Sequence, residues 1–72
     1  MEVGMNRISV ASSNIKSVGY ENGTLEIAFN SGGIYQYLGV HLNIYQGLMA
    51  ASSKGGYFNR FIKDSYNTII VS

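Results

Sequence analysis

The chain contains no cysteine, no proline and no tryptophan, and a single histidine. Without cysteine there is no disulfide framework, no thiolate metal site and no cysteine nucleophile. With His41 alone a multi-histidine metal centre is excluded, and four acidic residues leave little for a carboxylate cage. Charge is scarce as well. Charged residues make up 12% of the chain, the formal net charge is +1, and the pI is about 8.0. Such a balance predicts neither a strong general pull on nucleic acid nor attraction to a membrane surface. Long apolar runs are missing too. The longest aliphatic one, Ile69-Ile70-Val71, is far too short to cross a bilayer. Met1-Glu2-Val3-Gly4-Met5 lacks the cationic stretch that precedes a signal-peptide core. The expectation is a cytoplasmic protein with no membrane, metal or cofactor partner.

Hydrophobic residues amount to 46% of 72 residues, which suits one small folded domain over residues 1–72 and not a disordered chain. A domain of this size buries only about 60% of the surface that its unfolded chain exposes. Most large apolar side chains are therefore committed to the core, and a full catalytic apparatus is hard to accommodate. Residues 1–6 carry little pattern and are expected to be a frayed start.

Asn22-Gly23 is a strong hairpin signal, because a type I′ turn requires positive φ at both central residues. With that turn, Glu21 pairs with Thr24, Tyr20 with Leu25 and Val18 with Ile27, and Leu25, Ile27 and Phe29 share one face. Glu21 and Glu26 then fall on exposed positions. For the next hairpin a three-residue loop, Ser31 to Gly33, places Tyr35 and Tyr37 on the apolar face, opposite Phe29 and Ile27. A two-residue loop, Ser31-Gly32, sends both tyrosines to the other face. Gly33 suits the left-handed residue that closes a three-residue loop, so the longer loop is expected.

After Gly39 the period lengthens. Ile44, Tyr45, Leu48 and Met49 fit one stripe of a helix within 40–52, weakened by Gly47. Gly55-Gly56 is expected to end it. A second helix is expected over about 57–66, with Phe58, Phe61, Ile62 and Ser65 inward. Ile8-Ser9-Val10 reads as a short edge strand, and residues 68–72 as a tail or edge strand. The architecture expected is α+β: a three-stranded antiparallel β-meander covered on one face by two C-terminal helices.

Several of these residues form a recognisable series. Ser12-Ser13-Asn14-Ile15, Gly19-Tyr20, Leu25-x-Ile27-x-Phe29, Tyr35-Gln36-Tyr37 and Val40 are followed by Ala51, Ser52, Gly55 or Gly56, Tyr57-Phe58-Asn59, Ile62 and Tyr66. This order resembles the KTSC domain, a short unit found at the C-terminus of some lysyl-tRNA synthetases and as a small stand-alone bacterial or phage protein. The resemblance spans about 7–66. It departs at His41, where the family usually carries a proline that pre-sets the first helical turn. What it implies is modest: a domain of unknown function, with RNA suggested by the synthetase setting. It also implies family-motif roles, read here as structural, for Tyr35, Tyr37, Ser52, Phe58 and Asn59.

The residues themselves offer a few candidate surfaces. Tyr35 and Tyr37 suit a stacking platform for nucleobases if exposed, and core packing if they lie beneath the helices, as the longer loop implies. Ser52-Ser53-Lys54-Gly55-Gly56-Tyr57 has the glycines and lysine of a backbone anion nest, although the P-loop spacing is absent. Lys54, Gly55, Gly56, Tyr57, Arg60 and Lys63 thus form the candidate nucleic-acid or anion contact, set against a plain helix–helix turn and a solvated helix face. His41 has no serine–acid pattern around it and receives no catalytic role. No nucleophile–base pair or pair of distinct carboxylates stands out, so a non-enzymatic binding module, with RNA as candidate ligand, is expected. The alternative is a module that binds a protein partner or a second copy through an exposed strand edge.

Overall fold

The structure, a computed structural model, describes residues 5–72. Its elements are β1 (Ile8–Ser9), β2 (Ile15–Glu21), β3 (Thr24–Phe29), β4 (Ile34–Tyr37), α1 (Leu42–Ala50), α2 (Lys54–Phe61) and β5 (Thr68–Ile70). The strands form one antiparallel sheet in the order β1-β2-β3-β4-β5. The sheet therefore has five strands where the sequence predicts a three-stranded meander. The two additions are its edges, short segments that the sequence marks only as edge strand or tail. β5 follows both helices and returns beside β4, pairing Tyr35 with Ile70 and Tyr37 with Thr68.

The first hairpin has the expected register, Val18 with Ile27 and Tyr20 with Leu25. Its turn residues Asn22 and Gly23 have φ of 52° and 81°, as type I′ geometry requires. The second loop has the expected length but sits one residue earlier. The Phe29 N–H donates to the Gly33 carbonyl at 2.9 Å, which makes Asn30 to Gly32 the loop, and Gly32 rather than Gly33 takes positive φ. Ile27 therefore faces Tyr35, and Leu25 faces Tyr37. A shift of two positions along the partner strand leaves each side chain on the same face, so both tyrosines remain on the apolar side.

A bulge at Lys16 lets Ile15 join Val18 on the helix-covered face, since Ile15 pairs with Phe29 but Ser17 with Ala28. The core between sheet and helices holds Ile15, Val18, Leu25, Ile27, Tyr37, Val40, Leu48, Phe58 and Ile62. Tyr20 stacks on Tyr45 with ring centres 4.9 Å apart, and its hydroxyl donates to the Val40 carbonyl at 2.5 Å. These contacts tie β2 to the start of α1.

Helix α2 starts earlier than the sequence suggests. Gly55 and Gly56 do not close α1; they lie in the first turn of α2, where the Ser53 hydroxyl caps the helix by accepting from the Gly56 N–H at 3.2 Å. Helix α1 ends instead at Ala51 in extended conformation. With this start, Gly55, Phe58 and Ile62 face inward, Phe61 is 43% exposed and Ser65 is exposed. Residues 62–65 continue as turns. The roof is thus shorter than the expected helix, and Ile62 is buried just beyond its end.

The opposite sheet face is partly covered too. Met5 and Asn6 cross over Gly19, where an added Cβ would stand 2.5 Å from the Asn6 carbonyl oxygen. The frayed start expected for residues 1–6 otherwise concerns 1–4, which lie outside the described residues. Beneath this segment Glu26 is fully buried, which corrects its expected exposure. Its carboxylate pairs with the Arg7 guanidinium and accepts from the Gln36 amide at 2.8 Å. A buried carboxylate needs such partners, because desolvating an uncompensated charge is expensive.

Candidate functional site: an aromatic and amide-lined cleft

An open cleft of about 600 Å³ lies between α2 and the sheet, running from the start of β2 to β5. Its apolar surface comes from Phe29, Tyr35, Tyr37 and Phe58. Its polar surface comes from Ser13, Asn14, Asn30, Ser31, Asn59, Lys63, Asp64 and Thr68. The aromatic side chains form a chain of edge-to-face contacts: Tyr35 to Phe29 at 5.6 Å, Phe29 to Phe58 at 5.3 Å and Phe58 to Tyr37 at 5.5 Å between ring centres. This geometry sets the positive edge of one ring against the negative face of the next.

The tyrosine pair divides. Tyr37 is buried, and its phenol is pushed up to about 12, first by burial and then by the nearby Tyr35 and Asp64. Tyr35 is half-buried and lines the cleft beside it. Packing beneath the helix is thus the role of Tyr37, while Tyr35 remains reachable from the open side.

Gly55 shapes the wall near Asn14. An added Cβ there would stand 2.6 Å from the Asn14 amide nitrogen, so the absence of a side chain lets the β1–β2 turn approach α2. The turn itself is held by the Ser12 hydroxyl, which accepts from the Asn14 and Ile15 N–H groups at 3.2 Å. The Asn30 amide donates to the Ser12 carbonyl at 3.1 Å and joins the two loops at this end.

The residues singled out as nucleic-acid or anion contacts fall on two surfaces. Gly55 and Lys63 line the cleft, with the family-motif residues Tyr35, Tyr37, Phe58 and Asn59. Ser52, Gly56, Tyr57 and Arg60 line a shallower depression on another side of α2. There Tyr57 leans on Phe61 at 4.7 Å, and the Arg60 guanidinium sits 5.3 Å from the Phe61 ring centre. Lys54 turns its ammonium back to the Ala51 carbonyl at 2.9 Å. The glycine pair adopts no left-handed conformation, and the Gly56 N–H is occupied by Ser53, so the nest geometry suggested by the sequence is not what these groups form.

Sequence reasoning missed Asn14, Asn30 and Asp64 as cleft residues. Only the Ser-x-Asn turn signal and the shared loop chemistry pointed toward them, and neither says which loops meet. His41 stands exposed at the N-cap of α1 with no side-chain capping bond. Among the described residues no group of three or more histidine, aspartate or glutamate side chains is placed to hold a metal ion. Among the described residues no helix is long and apolar enough to cross a membrane.

A single antiparallel sheet roofed on one face by two helices, with an open cleft at the roof's edge, defines a small two-layer α+β domain. The chain belongs to the KTSC domain family, whose pattern matches residues 11–66. It is similar to the crystal structure of a KTSC domain protein from Yersinia pestis, with 42% identity and a TM-score of 0.91, covering 96% of this chain and 100% of that one. An uncharacterized protein of Stutzerimonas stutzeri is 38% identical over 64 residues, 86% of this chain and 90% of that protein. A lysine–tRNA ligase of Nostoc is 45% identical over 54 residues, 72% of this chain. The chain spans about a tenth of that ligase's length.

Proposed function

We propose that this protein is a non-catalytic binding module that takes unpaired RNA, with the cleft beside α2 as its working surface. One observation carries this reading: aromatic rings, amide side chains and the Lys63 ammonium converge on one open cleft. Unpaired RNA is recognised by that combination, through stacking on rings, hydrogen bonding to base edges and neutralisation of phosphate. Similarity to part of a lysine–tRNA ligase supports an RNA setting, and a cytoplasmic location goes with it. The small net charge implies weak, salt-sensitive binding.

The test is a titration of tRNA and short single-stranded RNA at low salt, recording backbone amide shifts. Shifts are expected within 35–37 and 54–63. If none of these amides responds, RNA is not the ligand.

A second reading rests on a different observation. β5 ends the strand order, and its Ile69 and Ile70 are 46% and 70% exposed. An open, apolar strand edge suits pairing with a protein partner or a second copy. Sedimentation over a range of concentrations tests the self-associating form, which a strictly monomeric protein removes.

A further inference from the structure

We infer that the open edge of β5 pairs antiparallel with β5 of a second copy of this chain, with the two-fold axis at Ile69. This inference rests on the strand-edge reading above and gives it one partner and one register.

The hydrogen bonds to β4 decide which backbone groups of β5 are left for a partner. The Leu38 N–H donates to the Asn67 carbonyl at 2.9 Å, and the Val71 N–H donates to the Ile34 carbonyl at 2.8 Å. In an antiparallel ladder these roles alternate, so Asn67, Ile69 and Val71 turn their backbone groups toward β4, while Thr68 and Ile70 turn theirs outward. Ser72 does not continue the outward series, because its carbonyl accepts from the Ile34 N–H at 3.0 Å. With the axis at Ile69, Thr68 lies opposite the partner's Ile70, and the N–H and carbonyl of both outward residues find partners across the edge. Moving the axis to Thr68 or Ile70 joins only one such pair of residues and leaves the other outward groups beyond the end of the strand.

The side chains favour an identical partner. Residues 67–72 carry no charge and no proline, the devices that ordinarily keep an edge strand from pairing, so two copies of this edge meet without repulsion. Ile69, which pairs with Gln36 on the face away from the helices, meets the partner's Ile69 as a β-branched cross-strand pair. Ile70 comes to lie beside a threonine that lines the cleft, so the partner's Ile70 extends the apolar wall at the β5 end of that cleft. The other edge of the sheet offers less: β1 has two residues, which leaves little for a head-to-tail array that would grow without closing. One short strand pair is far smaller than the roughly 1,600 Å² of a standard interface, so this dimer comes apart on dilution.

The absence of cysteine supplies the experiment, since one introduced thiol per copy reports the register. Opposed residues at a site without mutual hydrogen bonds stand about 4.5 Å apart between Cα atoms, within the roughly 4.4–6.8 Å that a disulfide accepts. Ile69→Cys in the full chain should therefore give mainly covalent dimer under oxidised glutathione at millimolar protein. Ile70→Cys, at the more exposed of the two positions, should give mainly the glutathione adduct, because its two copies are diagonal neighbours about 7–8 Å apart. Sedimentation of the unmodified chain should show the mass rising from 7.9 kDa toward twice that value between micromolar and millimolar protein. Ile69→Lys, which sets like charges opposite each other at the axis, should abolish the rise. Cross-linking of Ile70→Cys as readily as Ile69→Cys overturns the register and the inference, while a rise that Ile69→Lys abolishes keeps the strand-edge reading. A rise that persists in Ile69→Lys places self-association elsewhere and overturns the inference together with the self-associating form of that reading. A chain of constant 7.9 kDa overturns both of these and leaves only a foreign strand for the edge.

Discussion

The Arg7 guanidinium covers the carboxylate of Glu26, which is fully buried on the sheet face away from the helices. The pair ties the N-terminal segment to the middle strand across a separation of 19 residues. Arg7 is itself 26% exposed, so the cation keeps some hydration while the anion has none. Removing the cation should therefore be far worse than removing the pair. Arg7→Ala is expected to lower stability by about 2 kcal/mol, because a buried carboxylate loses its main compensation. The double variant Arg7→Ala with Glu26→Gln should recover much of that loss. Urea denaturation of the four proteins measures it, and equal stability of the single and double variants would contradict this account.

Gly47 lies in the middle of α1, where alanine would ordinarily help a helix by about 1 kcal/mol. Here a Cβ would run into the phenol of Tyr57 on α2. Gly47→Ala should lower stability by about 1 kcal/mol, overpacking outweighing the propensity gain. In a Tyr57→Ala background the same change should instead raise stability by about 1 kcal/mol. A double-mutant cycle by thermal denaturation reads the reversal, and an effect of the same sign in both backgrounds would count against the contact.

Tyr37 provides a prediction in alkali. Its phenol is pushed up to about 12 by burial, from an ordinary value of 10.0. The unfolded chain thus ionises this group first. The stabilising difference is complete below pH 10 and is lost as pH rises through 12, so the fold weakens across that window. Ultraviolet titration should show a late tyrosine step near pH 12. Tyr37→Phe should abolish this late step, and a late step that survives the change would mean another ring is responsible.

His41 occupies the N-cap of α1 with φ of −68°, which is close to the value that proline imposes. Its carbonyl accepts from the Ile44 and Tyr45 N–H groups, and proline keeps that carbonyl. His41→Pro should therefore be tolerated and stabilise the domain by about 0.5–1 kcal/mol, through fewer unfolded conformations. A fall in melting temperature would show that the histidine N–H or ring has a role.

Local chemistry accounts for what could be read directly. Asn22-Gly23 carries its own backbone requirement, so the hairpin register and the shared face of Tyr20, Leu25, Ile27, Tyr35 and Tyr37 follow from adjacent residues and a two-residue period. The stripe of Ile44, Tyr45, Leu48 and Met49 likewise needs only a helical period, and it packs on the core as expected. The early start of α2 is within reach of the sequence, since Ser53 is of a residue type favoured at the N-cap, but the glycine pair reads equally well as a terminator.

Tertiary structure alone decided the rest, because it depends on segments far apart in the chain. β1 and β5 have too few residues to show a period, and they become strands by pairing with β2 and β4. Glu26 alternates like an exposed residue until Met5 to Arg7 fold over it. Asn14, Asn30 and Asn59 are ordinary turn and helix residues until their loops and α2 meet around Tyr35. Periodicity assigns a side chain to a face, and only the packed fold determines whether that face is covered, paired or left open.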